Sequence, residues 1–209
     1  MIYKMILFVD TETTGLPIMD RQPNGAKWYP NYMETEKYPR IVQFSFLRYD
    51  REGTMKSMHD FIVKPDNFII PPDSTKIHNI SHEQAIKNGT PMINILDIFK
   101  SELDQVELVV MHNAQFDKNI ILSEAFRYER RDIIDNIFKQ NFFCTMKQTK
   151  QFVGIRSQYY DGFKNPSLTE LHNKLFNERL PIMHNSLNDA KVTAKCFFRL
   201  LSRNKIKFR

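Results

Sequence analysis

Two carboxylates close an apolar run in Ile6-Leu7-Phe8-Val9-Asp10-Thr11-Glu12-Thr13-Thr14-Gly15. Side chains alternate faces along a strand, so Asp10 and Glu12 project together. Adjacent like charges are costly unless something neutralises them. A hard divalent cation does so, because Mg²⁺ and Mn²⁺ prefer oxygen ligands. An acidic strand end meeting solvent fits the same residues. His112-Asn113-Ala114-Gln115-Phe116-Asp117 follows a second apolar run and puts an Asp near a helix start, where the helix dipole alone favours it. The third piece is His184-Asn185-Ser186-Leu187-Asn188-Asp189-Ala190-Lys191-Val192-Thr193. Ser186 is the expected N-cap, which places Asp189 in the first turn. On one helix His184 and Asp189 would point about 140° apart. With His184 on the preceding loop, both can face one site. Taken alone, each of the last two pieces reads as an ordinary capped helix.

In this order, the three pieces resemble the DEDDh exonucleases, the DnaQ-like group of the ribonuclease-H-like superfamily. Pro39-Arg40-Ile41-Val42-Gln43 resembles the family's second strand, and Ile77-His78-Asn79-Ile80 its Ile-His-Gly-Ile stretch. Cys144-Thr145-Met146-Lys147 and the segment from Pro166 to Phe176 resemble one branch of it. The resemblance runs from about Ile6 to Leu201. Asn79 stands where Gly is usual, Ser186 where Ala is frequent, and the segment from Ile18 to Arg40 is longer than in many members. No catalytic side chain is lost.

The resemblance implies a metal-dependent 3′-5′ exonuclease that releases nucleoside monophosphates, single-stranded DNA favoured. Asp10, Glu12, Asp117 and Asp189 would hold two divalent cations, Mg²⁺ or Mn²⁺, and His184 would be the general base. Thr13 and the backbone from Thr11 to Thr14 would contact the terminal sugar, Leu16 the last base, and His78 and Asn113 the strand end. The implied partner is nucleic acid with a free 3′ end, in DNA repair or proofreading. A polymerase partner is compatible but not indicated. The competing readings are a small-RNA 3′-5′ exonuclease and a non-catalytic nucleic-acid-binding module. A lost carboxylate would have favoured the latter.

The elements around these residues suit the task. Met5 to Val9 reads as a buried strand. Ile41 to Tyr49, the turn Asp50-Arg51-Glu52-Gly53 and Met55 to Val63 read as an antiparallel pair. Short helices are expected over Ser74 to Asn79 and Ser81 to Lys87, and a longer one over Met92 to Leu103. A strand from Glu107 to Met111 leads into a helix from Gln115 to Tyr128. A short strand at Phe142-Phe143-Cys144 and helices over Leu168 to Phe176 and Leu187 to Leu201 complete the set. Ile18 to Arg40 and Gln151 to Asn165 read as irregular, and Asn204 to Arg209 as a frayed basic tail. This predicts an α/β, ribonuclease-H-like domain: a mixed five-stranded sheet with helices on both faces. One domain over 1–209, with a long loop or insertion at about 18–40, is the simplest count.

Composition narrows the class. Of the 209 residues, 42% are hydrophobic and 17 are Phe, enough for a full core without covalent staples. The two cysteines exclude a disulfide framework. The four-residue run Ile6–Val9 is too short for a secretory core or membrane span, so a soluble, intracellular, cytoplasmic protein without membrane contact is expected. The net charge of +6 suits a polyanionic partner without requiring one. Lys191, Lys195, Arg199 and Arg203 form a stripe on the last helix, able to follow a phosphate backbone or simply to be solvated. Phe152, Tyr159, Tyr160 and Phe163 crowd an irregular segment, where burial and base stacking compete.

Overall fold

A computed structural model describes residues 5–21, 25–180 and 184–207. Pro23 and Asn24 of the expected loop, and the end of the basic tail at 208–209, lie outside them. The order begins β1 (Ile6–Thr13), β2 (Asp20–Arg21), β3 (Lys27–Trp28), β4 (Ile41–Tyr49) and β5 (Met55–Ile62). It continues α1 (Pro72–His78), α2 (His82–Asn88), α3 (Met92–Leu103), β6 (Leu108–Met111), α4 (Ala114–Arg127) and α5 (Arg131–Lys139). After β7 (Asn141–Cys144) come α6 (Thr145–Gln148), α7 (Lys150–Val153), α8 (Leu168–Phe176) and α9 (Ser186–Ser202).

The sheet is the expected mixed one of five strands, in the order β5-β4-β1-β6-β7. β1, β4 and β5 pair antiparallel, while β6 joins β1 and β7 in parallel. The α/β architecture is ribonuclease-H-like, with helices on both faces. β1 lies mid-sheet and is buried on both sides, so it reads as a continuous apolar run before its carboxylates. Leu7, Val9, Phe44, Phe46, Val109 and Met111 pack with residues of α3, α4 and α5 on one face. Ile6, Phe8, Leu47 and Val110 pack with Ala190, Ala194 and Phe197 of α9 on the other. Each fully buried large apolar side chain here contributes about 1.5–3 kcal/mol.

Several boundaries differ from the sequence reading. β1 continues to Thr13 because Asp10 to Thr13 pair with β4. The segment 18–40 is not all irregular: β2 and β3 pair antiparallel, and Thr35–Lys37 forms a 3-10 turn. That segment is tied to α4, since the Arg127 guanidinium donates to the Tyr38 carbonyl at 2.8 Å. The helices α5, α6 and α7 had no sequence counterpart. Among the described residues, no helix is long and apolar enough to cross a membrane. Cys144 and Cys196 are both free thiols.

Candidate active site

The alternation that packs β1 also sorts its polar end. Even-numbered Ile6 and Phe8 face α9, so Asp10 and Glu12 project to that side, where Asp189 lies in the first turn of α9. One carboxylate oxygen from each of Asp10, Glu12 and Asp189 lies within 4.8 Å of the others. Thr11 faces the opposite way, toward α4. Its hydroxyl donates to Asp117 Oδ1 at 2.8 Å and its backbone N–H to the same oxygen at 3.2 Å. Asp117 is buried in the first turn of α4.

Burial pushes the Asp10 carboxyl well above the usual range, and the charges of Asp117, Asp189 and Glu12 push it further. Glu12 rises to about 7 through burial, then through Asp189 and Asp117. Asp189 rises to about 7 through burial. Burial also raises Asp117, against the two Thr11 hydrogen bonds, which favour its charged form. No Lys or Arg offsets Asp10, Glu12 or Asp189 among the described residues. Crowded, desolvated carboxylates without a protein cation are an all-oxygen donor set of the kind that hard divalent ions take. The cluster fits a divalent metal site.

A polar network fixes α9 against the sheet. In the β1–β4 register Asp10 pairs with Ser45 and Glu12 with Gln43. Gln43 Oε1 accepts the Ser186 backbone N–H at 3.2 Å, and the Ser45 and Ser186 hydroxyls are 2.6 Å apart. Gln43 Nε2 and Ser45 Oγ both donate to Asp60 Oδ1, at 2.8 and 2.7 Å. Ser186 is therefore not the N-cap expected from sequence. Asn185 is, its side chain accepting from Asn188 N at 3.1 Å, because the Ser186 hydroxyl is taken by β4.

The other candidate residues are found in different states. The Thr13 hydroxyl donates to the Gly15 carbonyl at 2.7 Å, and Thr14 Oγ1 accepts the Arg40 N–H at 3.0 Å, so both serve the turn after β1. Leu16 is 82% exposed beyond them. Asn113 enters α4 in the left-handed region, at φ 72°. Asn79 ends α1 likewise, at φ 61°, a conformation Asn tolerates and which accounts for Asn where Gly is usual. His78 is buried. Its Nδ1 accepts the Ile80 N–H at 3.1 Å and its Nε2 has no partner among the described residues. His184 is exposed just before the N-cap of α9. Burial lowers the His78 pKa, and nearby His184 lowers it further.

Some features had not been singled out in the sequence. Tyr29, from the 18–40 segment, lies within electrostatic reach of Asp117. Gln43 and Ser45 are buried polar residues in an otherwise apolar strand, which was the available signal for the anchor. The basic stripe is partly spent on packing. The Lys195 ammonium sits 4.2 Å from the Phe176 ring centre, and the Arg199 guanidinium lies 5.8 Å from it. Of the crowded aromatics, Phe152 packs against the α8–α9 core, whereas Tyr159 is 93% exposed.

The ribonuclease-H-like sheet and its carboxylate cluster define a nuclease. The chain belongs to the exonuclease family: the family model RNase_T, described as Exonuclease, matches residues 7–197. No curated protein sequence matches significantly. Solved structures share the fold. The chain is similar to E. coli exonuclease I in complex with a dA16 oligonucleotide (TM-score 0.68, 16% identity, 95% of this chain and 41% of that one). The zinc-bound E. coli exonuclease I–ssDNA complex matches with TM-score 0.66 at 16% identity, over 96% and 41% of the two chains. A moderately thermophilic exonuclease I from Methylocaldum szegediense gives 0.63 at 15% identity, over 96% and 41%. The chain thus spans about two fifths of the length of these proteins.

Proposed function

We propose that this nuclease removes nucleoside monophosphates from 3′ ends, with single-stranded DNA as the favoured substrate. The observation that carries the reading is the convergence of Asp10, Glu12 and Asp189 within 4.8 Å, with Asp117 tied to the strand between them. These four carboxylates would hold two divalent cations, Mg²⁺ or Mn²⁺. When bound, such ions supply positive charge to the attacking and leaving oxygens of an in-line displacement. His184, exposed just before the N-cap of α9, takes the proton from the attacking water, the role of an imidazole general base. The water oxygen bonds to the terminal phosphorus, the bond to the penultimate 3′ oxygen breaks, and that oxygen takes a proton from solvent, leaving a new 3′ hydroxyl. The turn from Thr11 to Thr14, Leu16, His78 and Asn113 receive the terminal nucleotide. The oligonucleotide-bound exonuclease I structures of the same fold support an unpaired strand as substrate.

The test is a degradation ladder on end-labelled DNA and RNA oligomers with Mg²⁺, Mn²⁺ or chelator. The expected result is stepwise shortening of 5′-labelled single-stranded DNA, abolished by chelator and slowed by a 3′-terminal phosphate. Internal cutting, or shortening from the 5′ end, would contradict the reading. Faster digestion of RNA would change the assigned substrate alone.

A further inference from the structure

A groove of about 640 Å³ runs along the outer face of α4, a volume within the usual range for ligand sites. Gln115 and Lys118 of α4, Phe138 of α5, Lys147 of α6, and Tyr29 and Tyr32 of the 18–40 segment line it. Helical spacing turns Gln115 and Lys118 outward while Asp117, Ile120 and Ile121 face the core. The groove and Asp117 thus lie on two sides of the same helical turn, with Tyr29 lining the one and within electrostatic reach of the other.

The lining pairs aromatic faces with unpaired cations. Phe138 is 58% exposed, and Tyr32 lies 5.9 Å from it between ring centres. The Lys118 ammonium sits 4.5 Å from the Phe142 ring centre and 5.7 Å from that of Phe138, with no carboxylate partner among the described residues. Lys147 Nζ donates to Gln115 Oε1 at 3.2 Å and likewise has no carboxylate partner. A partly buried ammonium held only by ring faces leaves its charge uncompensated, which suits an anion that arrives with a ligand.

We propose that this groove takes the substrate strand behind its 3′ end, stacking unpaired bases on Phe138 and Tyr32 and placing a phosphate between Lys118 and Lys147. The inference rests on the exonuclease reading above and adds to it where the strand leaves the site. Stacking on ring faces tolerates any base but excludes a paired one. The groove therefore selects single strands without reading sequence, and the 18–40 segment supplies one of its walls.

The experiment measures binding of a 5′-labelled dT12 by fluorescence anisotropy, with Ca²⁺ in place of Mg²⁺, to the wild type, Phe138→Ala and Lys147→Met. Thymidine 5′-monophosphate with Mn²⁺ probes the terminal site separately. Phe138→Ala should weaken dT12 binding about tenfold, the size of one lost stacking contact. Lys147→Met should flatten the salt dependence by about 0.7 in slope. Monophosphate affinity should be unchanged in both. Wild-type affinity for dT12 in both variants would overturn the proposal. So would parallel loss of dT12 and monophosphate binding, which marks a structural effect. A wild type that binds no monophosphate and cuts no oligomer would defeat the exonuclease reading, while the dT12 comparison would still decide the groove.

Discussion

Gln43 holds the start of α9 by accepting the Ser186 N–H at 3.2 Å, and in the sheet it stands opposite Glu12. The residue paired with one carboxylate thus fixes the helix that delivers another. Asn185 adds its amide to the same oxygen at 3.3 Å, so the residue next to His184 is held as well.

Gln43→Leu leaves the Ser186 N–H without its acceptor and Asp60 with Ser45 as its remaining donor of the pair. Loss of such buried hydrogen bonds costs about 1–3 kcal/mol. The melting temperature should fall, and Mn²⁺ affinity should fall with it because Asp189 is no longer held against Asp10 and Glu12. Calorimetry of both quantities decides. Lower stability with unaltered metal affinity would mean that β4 does not position the cluster.

Thr11→Val keeps shape and burial but removes the hydroxyl that donates to Asp117 at 2.8 Å. That hydrogen bond opposes the burial that raises Asp117. The variant should therefore need a higher pH to ionise Asp117, and the acid limb of its pH–rate profile should move upward. A rate loss that is uniform across pH would assign Thr11 a packing role only.

The strands that build the site were legible because their patterns are strong. Ile41 to Tyr49 and Met55 to Ile62 lie within one residue of the spans expected from sequence. The end of β1 was not, since polar Asp10 to Thr13 are strand only by virtue of distant β4. The helix α5 follows Arg130, which gives it no side-chain cap, and α6 and α7 are four residues each, too short for a periodic signal. Local sequence points to Ser186 as the cap, whereas Asn185 takes that place. The choice between them is made by Ser45, 141 residues away. The nearness of Asp10, Glu12 and Asp189 could be anticipated from the ordered motifs, but the hold of Thr11 on Asp117 could not.

The raised carboxyls make a signed prediction for the metal-free protein. Glu12 and Asp189 titrate near 7 when folded but in the ordinary carboxylate range when unfolded. Between those values the folded state binds more protons, so stability falls as pH rises. The contribution of these groups is fully present below about pH 4 and lost as pH passes through about 7. Melting without metal should therefore show stability declining from pH 5 to pH 7.5 more steeply than in Asp189→Asn. Added Mn²⁺ should remove most of the decline. Equal slopes in the two proteins would contradict the charge crowding.

His184→Ala should reduce turnover by about 10²–10⁴, the range for losing a general base. Metal affinity should hold, because the four carboxylates are intact. Single-turnover cleavage at saturating Mn²⁺, beside a metal titration, separates the two. Lost metal binding with preserved chemistry would make His184 a ligand.

The most direct measurement is Asp10→Ala, assayed twice on one preparation: melting without metal, and hydrolysis of a 5′-labelled single-stranded oligomer with Mg²⁺. Asp10 is the group that burial and its three acidic neighbours all penalise. Its removal should leave the metal-free protein as stable as the wild type or more so, while hydrolysis falls to background. A variant that folds and shortens the oligomer at the wild-type rate would contradict the account, because the carboxylate cluster would then not be where the nuclease works.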